Sequence, residues 1–569
     1  MSGDKVLVLG DDTRSFLTIV RSLGRRGIIV HAAPTNFRSP ALRSRYIAGI
    51  HDIVPWMGDG AAWLTGMVDL LRREQYQLVI PCNETSILPL QRHRASLSPF
   101  ARLAIPDDRS IAVLFDKHHT RELARQVGVQ VAAGRLALPD DTSETVLAEF
   151  GLPIVVKPRH SYSIDRLSAR GKVHVVREPA RLARVLSEHD PGSIVIEQFF
   201  GGRGVGVSVL ASNGQLLQSF EHHRARELAG ASFYRRSAPL TPELVQACEA
   251  LLAALDYTGI AMFEFKRNAS GSWILLEVNA RPWGSMPLPV ALGVDFPYRW
   301  YRLLVAGEET PAVPYRAGVY GRNLIPDLHN TLIEAQTQQL SSIATAWVMM
   351  GRMAGLLRSL SGKEVNDLFV SDDPRPGLLE LRDVVHALRR RTENLTLGVA
   401  RRRRHARARV EALRGAKSGA RIVFVCQGNI CRSPFAEALL RAQLEDCQIS
   451  VQSAGMMPQP GRPPPPLAIE AAAMRGVDLS PHRSAWLTPD MAKAASLLIV
   501  FEYVNRGAVL DRYPGLRVPI ILLGDLVKIG EVPDPVDGDA TVFGKVYDQI
   551  GVAIAELALL ARGNCRTPA

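Results

Sequence analysis

The sequence CQGNICRSP, residues 426–434, lies between the apolar run IVFV and the helix-like segment FAEALLRAQL. A buried strand delivers Cys426 to a short loop, and we expect Ser433 to cap a helix whose first position is Pro434. The backbone N–H groups of such a loop point inward with the helix dipole behind them, which predicts a site for a dianion. The spacing Cys-x5-Arg lets Arg432 hold two phosphoryl oxygens above the Cys426 sulfur. The same N–H groups and the Ser433 hydroxyl favour the thiolate, which is the nucleophilic form of cysteine.

The motif V-C-x-G-N-I-C-R-S-P resembles that of the low-molecular-weight protein-tyrosine phosphatases, and the resemblance covers about residues 420–560. It implies that Cys426 is the nucleophile, that Arg432 stabilises the transition state, that Ser433 stabilises the thiolate and that His482 braces the loop with Asn429. The family takes its general acid from an Asp-Pro pair, which here begins at Asp534. The remaining phosphate-binding loop positions implied by the resemblance are Gly428, Asn429, Ile430 and Cys431.

Substrate choice is where the chain departs from the tyrosine phosphatases. Those enzymes place aromatic residues after the Asp-Pro pair and another after the SAG segment, whereas this chain has Val536 and the run Met456, Met457, Pro458. Ile430 matches the tyrosine phosphatases, because the similar phosphoarginine phosphatases have threonine there. We therefore expect hydrolysis of a phosphotyrosine-type monoester, in a phosphoprotein or a small molecule, in a wider and less aromatic pocket.

The cysteines allow other interpretations. A free cysteine at a strand end is most often a buried apolar residue, which is the alternative for Cys426. Arsenate reductases share the fold and the nucleophile but need a closely spaced resolving pair, and only Cys447 and Cys565 remain downstream. Cys431 is a candidate for a protective disulfide with Cys426 under oxidation.

Two strand-like segments nearer the N-terminus carry matched polar groups. In SWILLEVNAR, side chains two positions apart share a face, so Glu277, Asn279 and Arg281 point the same way. The preceding segment IAMFEFKR, joined by a turn, places Glu264 where it can meet them. Two carboxylates and an amide oxygen suit Mg²⁺, and Arg281 then reaches a transferred phosphoryl group. The alternative is a solvent-facing polar strand edge.

The segments FDKHHTRELARQVGV, LPIVVKPR, IVIEQFFGG, TGIAMFEF and LLEVNARPWGS occur in that order. They resemble the ATP-grasp superfamily of the carbamoyl-phosphate-synthetase and carboxylate-amine ligase type over about residues 1–325. The resemblance implies that Lys117 and Lys157 contact ATP phosphates, that Arg281 steadies the reaction, and that a hinge reads adenine partly through its backbone. The hinge residues are Glu197, Gln198 and Phe200. The implied ligands of Mg²⁺ or Mn²⁺ are Glu264, Glu277 and Asn279.

The chemistry implied is activation of a carboxylate as an acyl phosphate, followed by attack of an amine or a similar nucleophile. One departure concerns the glycine-rich flap over the phosphates, because residues 158–172 read PRHSYSIDRLSARGK, with Gly171 as their only glycine. Either Arg159, Ser161 and Arg170 hold the phosphates, or catalysis is impaired. Further candidates for holding an anionic acceptor are Arg224, Arg226 and Arg235.

Length and composition indicate a multidomain α/β protein. A chain of 569 residues is too long for one core, and six cysteines without a disulfide framework favour a reducing compartment. No secretory signal is visible at the start, so we expect a cytoplasmic protein. KVLVLG also lacks the G-x-G-x-x-G spacing of a dinucleotide site.

The predicted organisation has four parts. They are a pre-ATP-grasp α/β domain (1–105), an ATP-grasp domain of two α+β lobes (106–325), a helical, Arg-rich linker region (326–418) and a flavodoxin-like α/β phosphatase domain with a four-stranded parallel sheet (419–569).

The net charge of +12 is concentrated, because residues 382–421 hold thirteen Lys and Arg against three Asp and Glu. Long interdomain helices are commonly Arg-rich and solvated, and the alternative is contact with a polyanion or an anionic membrane surface. No motif identifies the carboxylate, the amine or the oligomeric state.

The leading interpretation of the whole chain is a bifunctional enzyme with an ATP-dependent ligase unit and a phosphatase unit. A second interpretation makes the ATP-grasp region a nucleotide sensor that controls the phosphatase without turning over ATP. The glycine-poor flap favours the second.

Overall fold

A computed structural model describes residues 4–562 with short gaps. The gaps are residues 57, 165–166, 168–169, 229–230, 338–346, 349, 352–357, 359–360, 394–397, 416–418, 458–459, 514 and 537. Pro458 and Cys565 therefore lie outside the described residues. The chain divides into two compact units, which we call unit 1 (Met1–Asp383) and unit 2 (Val384–Ala569).

The first sheet of unit 1 is parallel, with strand order β3-β2-β1-β4-β5. Its strands are β1 (Lys5–Leu9), β2 (Ile29–Ala33), β3 (Ile47–Ile50), β4 (Leu78–Pro81) and β5 (Arg102–Leu103). Its helices are α1 (Ser15–Gly24), α2 (Ala61–Glu74), α3 (Glu84–Arg92) and α4 (Arg94–Leu97).

The turn between β1 and α1 is closed by a carboxylate. Asp12 accepts hydrogen bonds from the backbone N–H groups of Arg14, Ser15 and Phe16, at 2.9, 2.6 and 3.1 Å. This carboxylate occupies the helix N-terminus at which a pyrophosphate lies in dinucleotide-binding folds. This closed turn agrees with the absence of the G-x-G-x-x-G spacing after β1.

A four-stranded antiparallel sheet with order β6-β9-β7-β8 forms the second layer of unit 1. Its strands are β6 (Gly134–Leu136), β7 (Ile154–Pro158), β8 (His174–Val176) and β9 (Ile194–Gln198). The helices of this region are α5 (Asp108–Leu114), α6 (Lys117–Gln126), α7 (Ser143–Phe150) and α8 (Pro179–Ser187).

A seven-stranded sheet completes unit 1, with order β14-β13-β10-β11-β12-β15-β16. Its strands are β10 (Arg203–Ser212), β11 (Gln215–Leu228), β12 (Ala231–Ala238), β13 (Gly259–Arg267), β14 (Trp273–Asn279), β15 (Tyr320–Arg322) and β16 (Glu364–Asn366). The helices are α9 (Pro242–Leu255), α10 (Pro287–Ala291), α11 (Phe296–Ala306) and α12 (Leu324–Thr337). One face of the sheet shares a hydrophobic core with the first sheet, where Phe220 and Met262 are buried together with Ile19.

Strand β16 lies within the stretch that the sequence assigned to a helical linker. The residues after it pair with buried arginines: Asp367 binds Arg235 at 2.5 Å, and Asp373 binds Arg21 at 2.9 Å. A buried guanidinium needs such a counter-charge, which explains why residues 364–373 fold with unit 1.

Two arginines that the sequence offered as receptors of an anion are instead committed inside the fold. Arg235 is wholly buried with Asp367, and Arg226 pairs with the buried Asp327 at 2.6 Å. Both guanidinium groups already have a buried carboxylate as partner, which gives them a structural role in unit 1.

Unit 2 contains a four-stranded parallel sheet with order β18-β17-β19-β20, which confirms the predicted phosphatase sheet and the α/β class. Its strands are β17 (Ala420–Cys426), β18 (Ile449–Gly455), β19 (Leu497–Val500) and β20 (Ile520–Leu522). The helices from the unit boundary onward are α13 (Arg375–Glu393), α14 (Gly398–Glu411), α15 (Arg432–Gln443), α16 (Pro466–Ala473), α17 (Pro489–Ala494), α18 (Tyr503–Arg512) and α19 (Ala540–Arg562).

The basic helix α14 is built into unit 2. Ala406 and Val410 are buried in the same core as α15 and α19. On its flanks Arg402 pairs with Asp525 at 3.2 Å and Arg407 with Glu556 at 2.7 Å. Part of the Arg-rich stretch therefore has a structural role. Among the described residues, no helix is both long and apolar enough to cross a membrane.

Candidate active sites

The loop at the carboxyl end of β17 ends slightly earlier than the sequence predicted. Helix α15 begins at Arg432 instead of Pro434, with Cys431 in the N-cap position and Ser433 already in the first turn. Proline fits anywhere in the first turn, because the N–H groups there have no intrahelical acceptor. Ser433 is therefore free to turn its hydroxyl group towards the loop.

The Cys426 sulfur lies at the centre of this loop. The backbone N–H of Asn429 donates to Sγ at 3.2 Å, and the Ser433 Oγ lies 3.0 Å from Sγ. These donors favour a negatively charged sulfur. Cys426 is 2 % exposed, but its surroundings are these polar groups as well as hydrocarbon.

Asn429 fixes the loop through both ends of its side chain. Its Nδ2 donates to the Ser433 and Ser453 hydroxyl oxygens at 2.9 and 2.8 Å, and its Oδ1 accepts from the Ala485 N–H at 2.7 Å. His482 Nε2 lies 2.8 Å from the Asn429 carbonyl oxygen. Asn429 has φ of 53°, a left-handed conformation that asparagine tolerates better than most residues.

The strand beside the loop requires a glycine. A Cβ at Gly455 would lie 3.1 Å from the backbone N of Asn429 and 3.1 Å from the carbonyl oxygen of Gln427. The end of β18 can approach the loop this closely because residue 455 has no side chain. This explains the last position of the SAG segment.

Arg432 is fully buried and held by three acceptors. Nη1 donates to Glu502 at 2.5 Å and to the Val532 carbonyl oxygen at 2.9 Å, and Nη2 donates to Asp534 at 2.5 Å. Burial lowers the pKa of Arg432, but Asp534, Cys426 and Glu502 outweigh it, so the net shift is upward. Its Nε is a buried donor with no partner among the described residues.

The loop's second cysteine has a different environment. Burial, with the nearby Asp534 and Cys426, raises the pKa of the Cys431 thiol well above its ordinary value. Its carbonyl oxygen accepts a hydrogen bond from the Tyr547 hydroxyl at 3.2 Å. Cys431 is thus a neutral thiol at pH 7 and helps position the helix start.

Two residues of this site belong to no motif recognised in the sequence. Glu502 lies just beyond the buried strand β19. Because the carboxyl ends of parallel strands meet at one edge of the sheet, the sequence could have placed the Glu502 side chain near the loop after β17. Arg462, in the Pro-rich insert, donates to the Gly428 carbonyl oxygen at 2.9 Å. Nothing in the local sequence indicates that contact.

The carboxylate pair of unit 1 forms as strand periodicity predicted. Glu264 on β13 and Glu277 on β14 are register partners, and Asn279 Nδ2 lies 3.2 and 3.4 Å from their respective Oε1 atoms. Burial and the neighbouring Glu277 raise the pKa of Glu264. Burial also opposes the charge on Glu277, but Lys117, Lys157 and other cations lower its pKa overall.

Arg224, the third arginine offered as a receptor of an anion, lies at this pair. Its Nη2 donates to Glu264 Oε2 at 2.5 Å. The Arg224 guanidinium partly neutralises the charge of the two adjacent carboxylates. Arg224 therefore belongs to the predicted metal site.

The two predicted phosphate lysines have unlike partners. Lys117 Nζ donates to the Ser161 hydroxyl at 2.8 Å beside Glu277, and burial lowers its pKa. Lys157 Nζ pairs with Glu197 at 2.7 Å, and Glu197 also binds Arg121.

The Glu197 side chain is therefore committed to these two cations. Gln198 is exposed and Phe200 is half-buried at the end of the same segment.

A cleft beside these groups is lined by Lys117, Ser161, Glu277, Asn279 and Arg281, together with Glu84 from α3. Arg281 Nε pairs with Glu84 at 3.1 Å. In the flap, Arg159 is bound to the buried Asp116 at 2.6 Å, whereas Ser161 lines the cleft.

Comparison with known proteins decides the family of unit 2. Residues 421–563 match the model for the low molecular weight phosphotyrosine protein phosphatases. A probable low molecular weight protein-tyrosine-phosphatase EpsP from Ralstonia nicotianae is 36 % identical over 129 residues, which are 23 % of this chain and 87 % of that protein. The chain belongs to the low-molecular-weight protein-tyrosine phosphatase family. A protein-arginine-phosphatase from Bacillus subtilis is 30 % identical over 141 residues, 24 % of this chain and 93 % of that protein.

Unit 1 matches a different family. Residues 190–323 fit the model described as ATP-grasp in the biosynthetic pathway with Ter operon. The N5-carboxyaminoimidazole synthetase of Staphylococcus aureus, solved with ADP, has a TM-score of 0.47 and 15 % identity, covering 59 % of this chain and 87 % of that one. Both recognitions made from motifs, and the prediction of an enzyme, are confirmed.

We expect the Asn429 side chain to be needed for the phosphatase site and its backbone conformation to be needed for stability. Asn429→Gly keeps the left-handed backbone but removes three hydrogen bonds, so we predict a fall in phosphatase kcat of about 100-fold from misplacement of Ser433 and Cys426. Asn429→Ala should lose the same activity and about 1 kcal/mol more stability. Steady-state kinetics and chemical unfolding measure both. Equal stability of the two variants, or wild-type kcat in Asn429→Gly, would contradict the role assigned to this residue.

Proposed function

We propose that unit 2 hydrolyses phosphotyrosine-type monoesters through a phosphocysteine intermediate. The observation that carries this proposal is the Cys426 sulfur within hydrogen-bond distance of the Asn429 N–H and the Ser433 hydroxyl, at the carboxyl end of β17. Such donors stabilise the thiolate. Family membership supports the same assignment.

In the first step the Cys426 thiolate attacks phosphorus, so that a P–S bond forms as the ester P–O bond breaks. Asp534 gives its proton to the leaving oxygen. It is suited to this role because its side chain is 33 % exposed and so reaches both substrate and solvent. In the second step Asp534 takes a proton from water, which displaces the sulfur and releases phosphate.

Arg432 supplies the charge that the transferred phosphoryl group requires. Its unpartnered Nε and the second hydrogen of Nη2, beside the one given to Asp534, would donate to two phosphoryl oxygens, while Nη1 stays anchored by Glu502 and Val532. The loop N–H groups from Gly428 to Cys431 complete the cradle. His482 holds the loop from outside through the Asn429 carbonyl group.

The pocket favours an aryl ester over a phosphoguanidine. Ile430, which lies against the core, offers hydrocarbon next to the cradle, and Val536 beyond the general acid is 43 % exposed. Met456, the residue directly after β18, is buried. Flexible apolar side chains of this kind accept a ring without the tight stacking that aromatic walls would impose.

We predict that Cys426→Ser abolishes hydrolysis of 4-nitrophenyl phosphate and of a phosphotyrosine peptide, whereas Cys447→Ser, as the matched control, retains it. Asp534→Asn should lower kcat about 10²- to 10⁴-fold on the peptide and less on 4-nitrophenyl phosphate, whose leaving group needs no proton. Full activity of Cys426→Ser would refute the nucleophile. Much faster hydrolysis of phosphoarginine than of phosphotyrosine would refute the substrate class.

We also propose that unit 1 uses ATP and Mg²⁺ or Mn²⁺ to activate a carboxylate as an acyl phosphate for attack by an amine. The supporting observation is the cleft that brings Lys117, Glu277, Asn279 and Arg281 together beside the buried Lys157. Lys117 and Lys157 would hold nucleotide phosphates, and the backbone of Glu197, Gln198 and Phe200 would hold adenine.

The residues at the implied metal site fit a hard divalent cation. Glu264 and Glu277 face each other across β13 and β14, and a half-turn of the Asn279 amide adds its oxygen to the set. The ion, when bound, neutralises phosphate charge. Arg224 occupies one oxygen of Glu264, so this chain's own guanidinium already supplies part of that charge at the site.

The second candidate for unit 1 is a nucleotide sensor, favoured by the flap, where Arg159 is bound to Asp116 instead of pointing into the cleft. ADP release by the full-length protein, over a panel of acids and amines, separates the two. A ligase gives release that depends on both substrates and falls at least about 100-fold in Glu277→Gln, but not in the surface control Glu188→Gln. A sensor releases no ADP with any pair, yet Mg-ATP changes its phosphatase rate.

A further inference from the structure

Three side chains of metal-binding types converge at the first sheet of unit 1, away from the carboxylate pair. His31 lies on β2, His51 directly follows β3, and Glu74 is the last residue of α2. One ligand atom from each lies within 4.8 Å of the others. His31 Nδ1 is 2.8 Å from His51 Nε2 and 3.9 Å from Glu74 Oε2.

These distances are close to those of ligands on one tetrahedral ion. With metal–nitrogen bonds of about 2.0 Å, neighbouring ligand atoms are about 3.3 Å apart. The two imidazole nitrogens need to separate by about half an ångström and the carboxylate to approach by about as much, which side-chain rotations accomplish.

The surroundings shape this cluster. The Tyr76 hydroxyl lies 2.8 Å from His31 Nδ1 and 3.0 Å from His51 Nε2, within hydrogen-bond distance of both ring nitrogens. Gly49 leaves room for the His31 ring, since a Cβ there would lie 3.0 Å from it. Lys5 pairs with Glu74 at 3.0 Å, and a carboxylate has enough lone pairs to keep that cation while it coordinates an ion.

We propose that His31, His51 and Glu74 bind a divalent transition-metal ion of the zinc type, with the Tyr76 hydroxyl at the fourth position. Two imidazoles and one carboxylate are ligands that Zn²⁺ accepts and that Mg²⁺, which prefers oxygen, does not. The ion links β2, the segment after β3 and the end of α2. It is therefore a structural clamp on the first sheet, separate from the nucleotide cleft.

The experiment titrates Zn²⁺ into chelator-treated full-length protein in competition with a chromophoric chelator. All measurements are made in a Cys426→Ser background, which removes the loop thiolate as a rival ligand. We expect one tight Zn²⁺ per chain, an affinity about 100-fold lower in His51→Asn and in Glu74→Gln, and no change in the exposed control His405→Asn. Unchanged affinity in both ligand variants overturns the proposal.

Two readouts remain decisive should a ligand variant unfold. Co²⁺ added to the parent protein, which is the Cys426→Ser variant with no further change, should give the intense visible absorption bands of a tetrahedral site of nitrogen and oxygen ligands. The weak bands of an octahedral site would overturn the proposal. Zn²⁺ should raise the unfolding temperature of the parent protein and of His405→Asn, because an ion that binds only the folded state stabilises it. No rise in the parent protein also overturns it.

Discussion

The guanidinium of Arg432 is the group on which the phosphatase site depends. It is wholly buried, and its charge is tolerable there because two carboxylates, Glu502 and Asp534, and the Val532 carbonyl group surround it. These contacts draw together the loop after β17, the segment just beyond β19 and the segment that carries Asp534. The cation and the proton donor that we propose thus share one set of interactions beside the proposed nucleophile.

The same constraint recurs in unit 1 with other residues. Lys157 is neutralised by Glu197, which also binds Arg121, while Lys117 and Arg224 lie beside Glu277 and Glu264. Each of these buried cations has a carboxylate close to it. The phosphate sites that we propose differ between the units: that of unit 2 is built on backbone N–H groups of a loop, and that of unit 1 on lysines and paired acids on strands.

Sequence reasoning succeeded where chemistry is local. The loop from Cys426 to Ser433 is one contiguous motif, so the sulfur, the turn and the helix that follows could be predicted from neighbours in the chain, with the helix start misplaced by two residues. Glu264 and Glu277 could be predicted to face each other because side chains alternate along a strand and one hairpin joins the two strands. Arg432 and Glu502 are 70 residues apart and Arg432 and Asp534 are 102 apart, and no period relates either pair. Resemblance to a family placed Asp534, whereas Glu502 went unnoticed.

Long-range charge pairing also explains which features of the organisation could not be predicted from the sequence. Arg235 and Arg226 were interpreted as cations available to a ligand because their partners, Asp367 and Asp327, lie far along the chain. The short edge strand β16 has too few residues for a pattern to show. The basic helix α14 hides two small core positions, Ala406 and Val410, among its arginines.

The most direct measurement is kcat for 4-nitrophenyl phosphate in Arg432→Lys beside wild type, with the unfolding temperature of each recorded. Lysine keeps the charge but cannot hold Glu502, Val532 and Asp534 and still present two donors to the phosphoryl group. We predict a loss in kcat of about 10²- to 10³-fold in a folded protein. A folded Arg432→Lys enzyme within about threefold of wild type would contradict the central place given to this guanidinium.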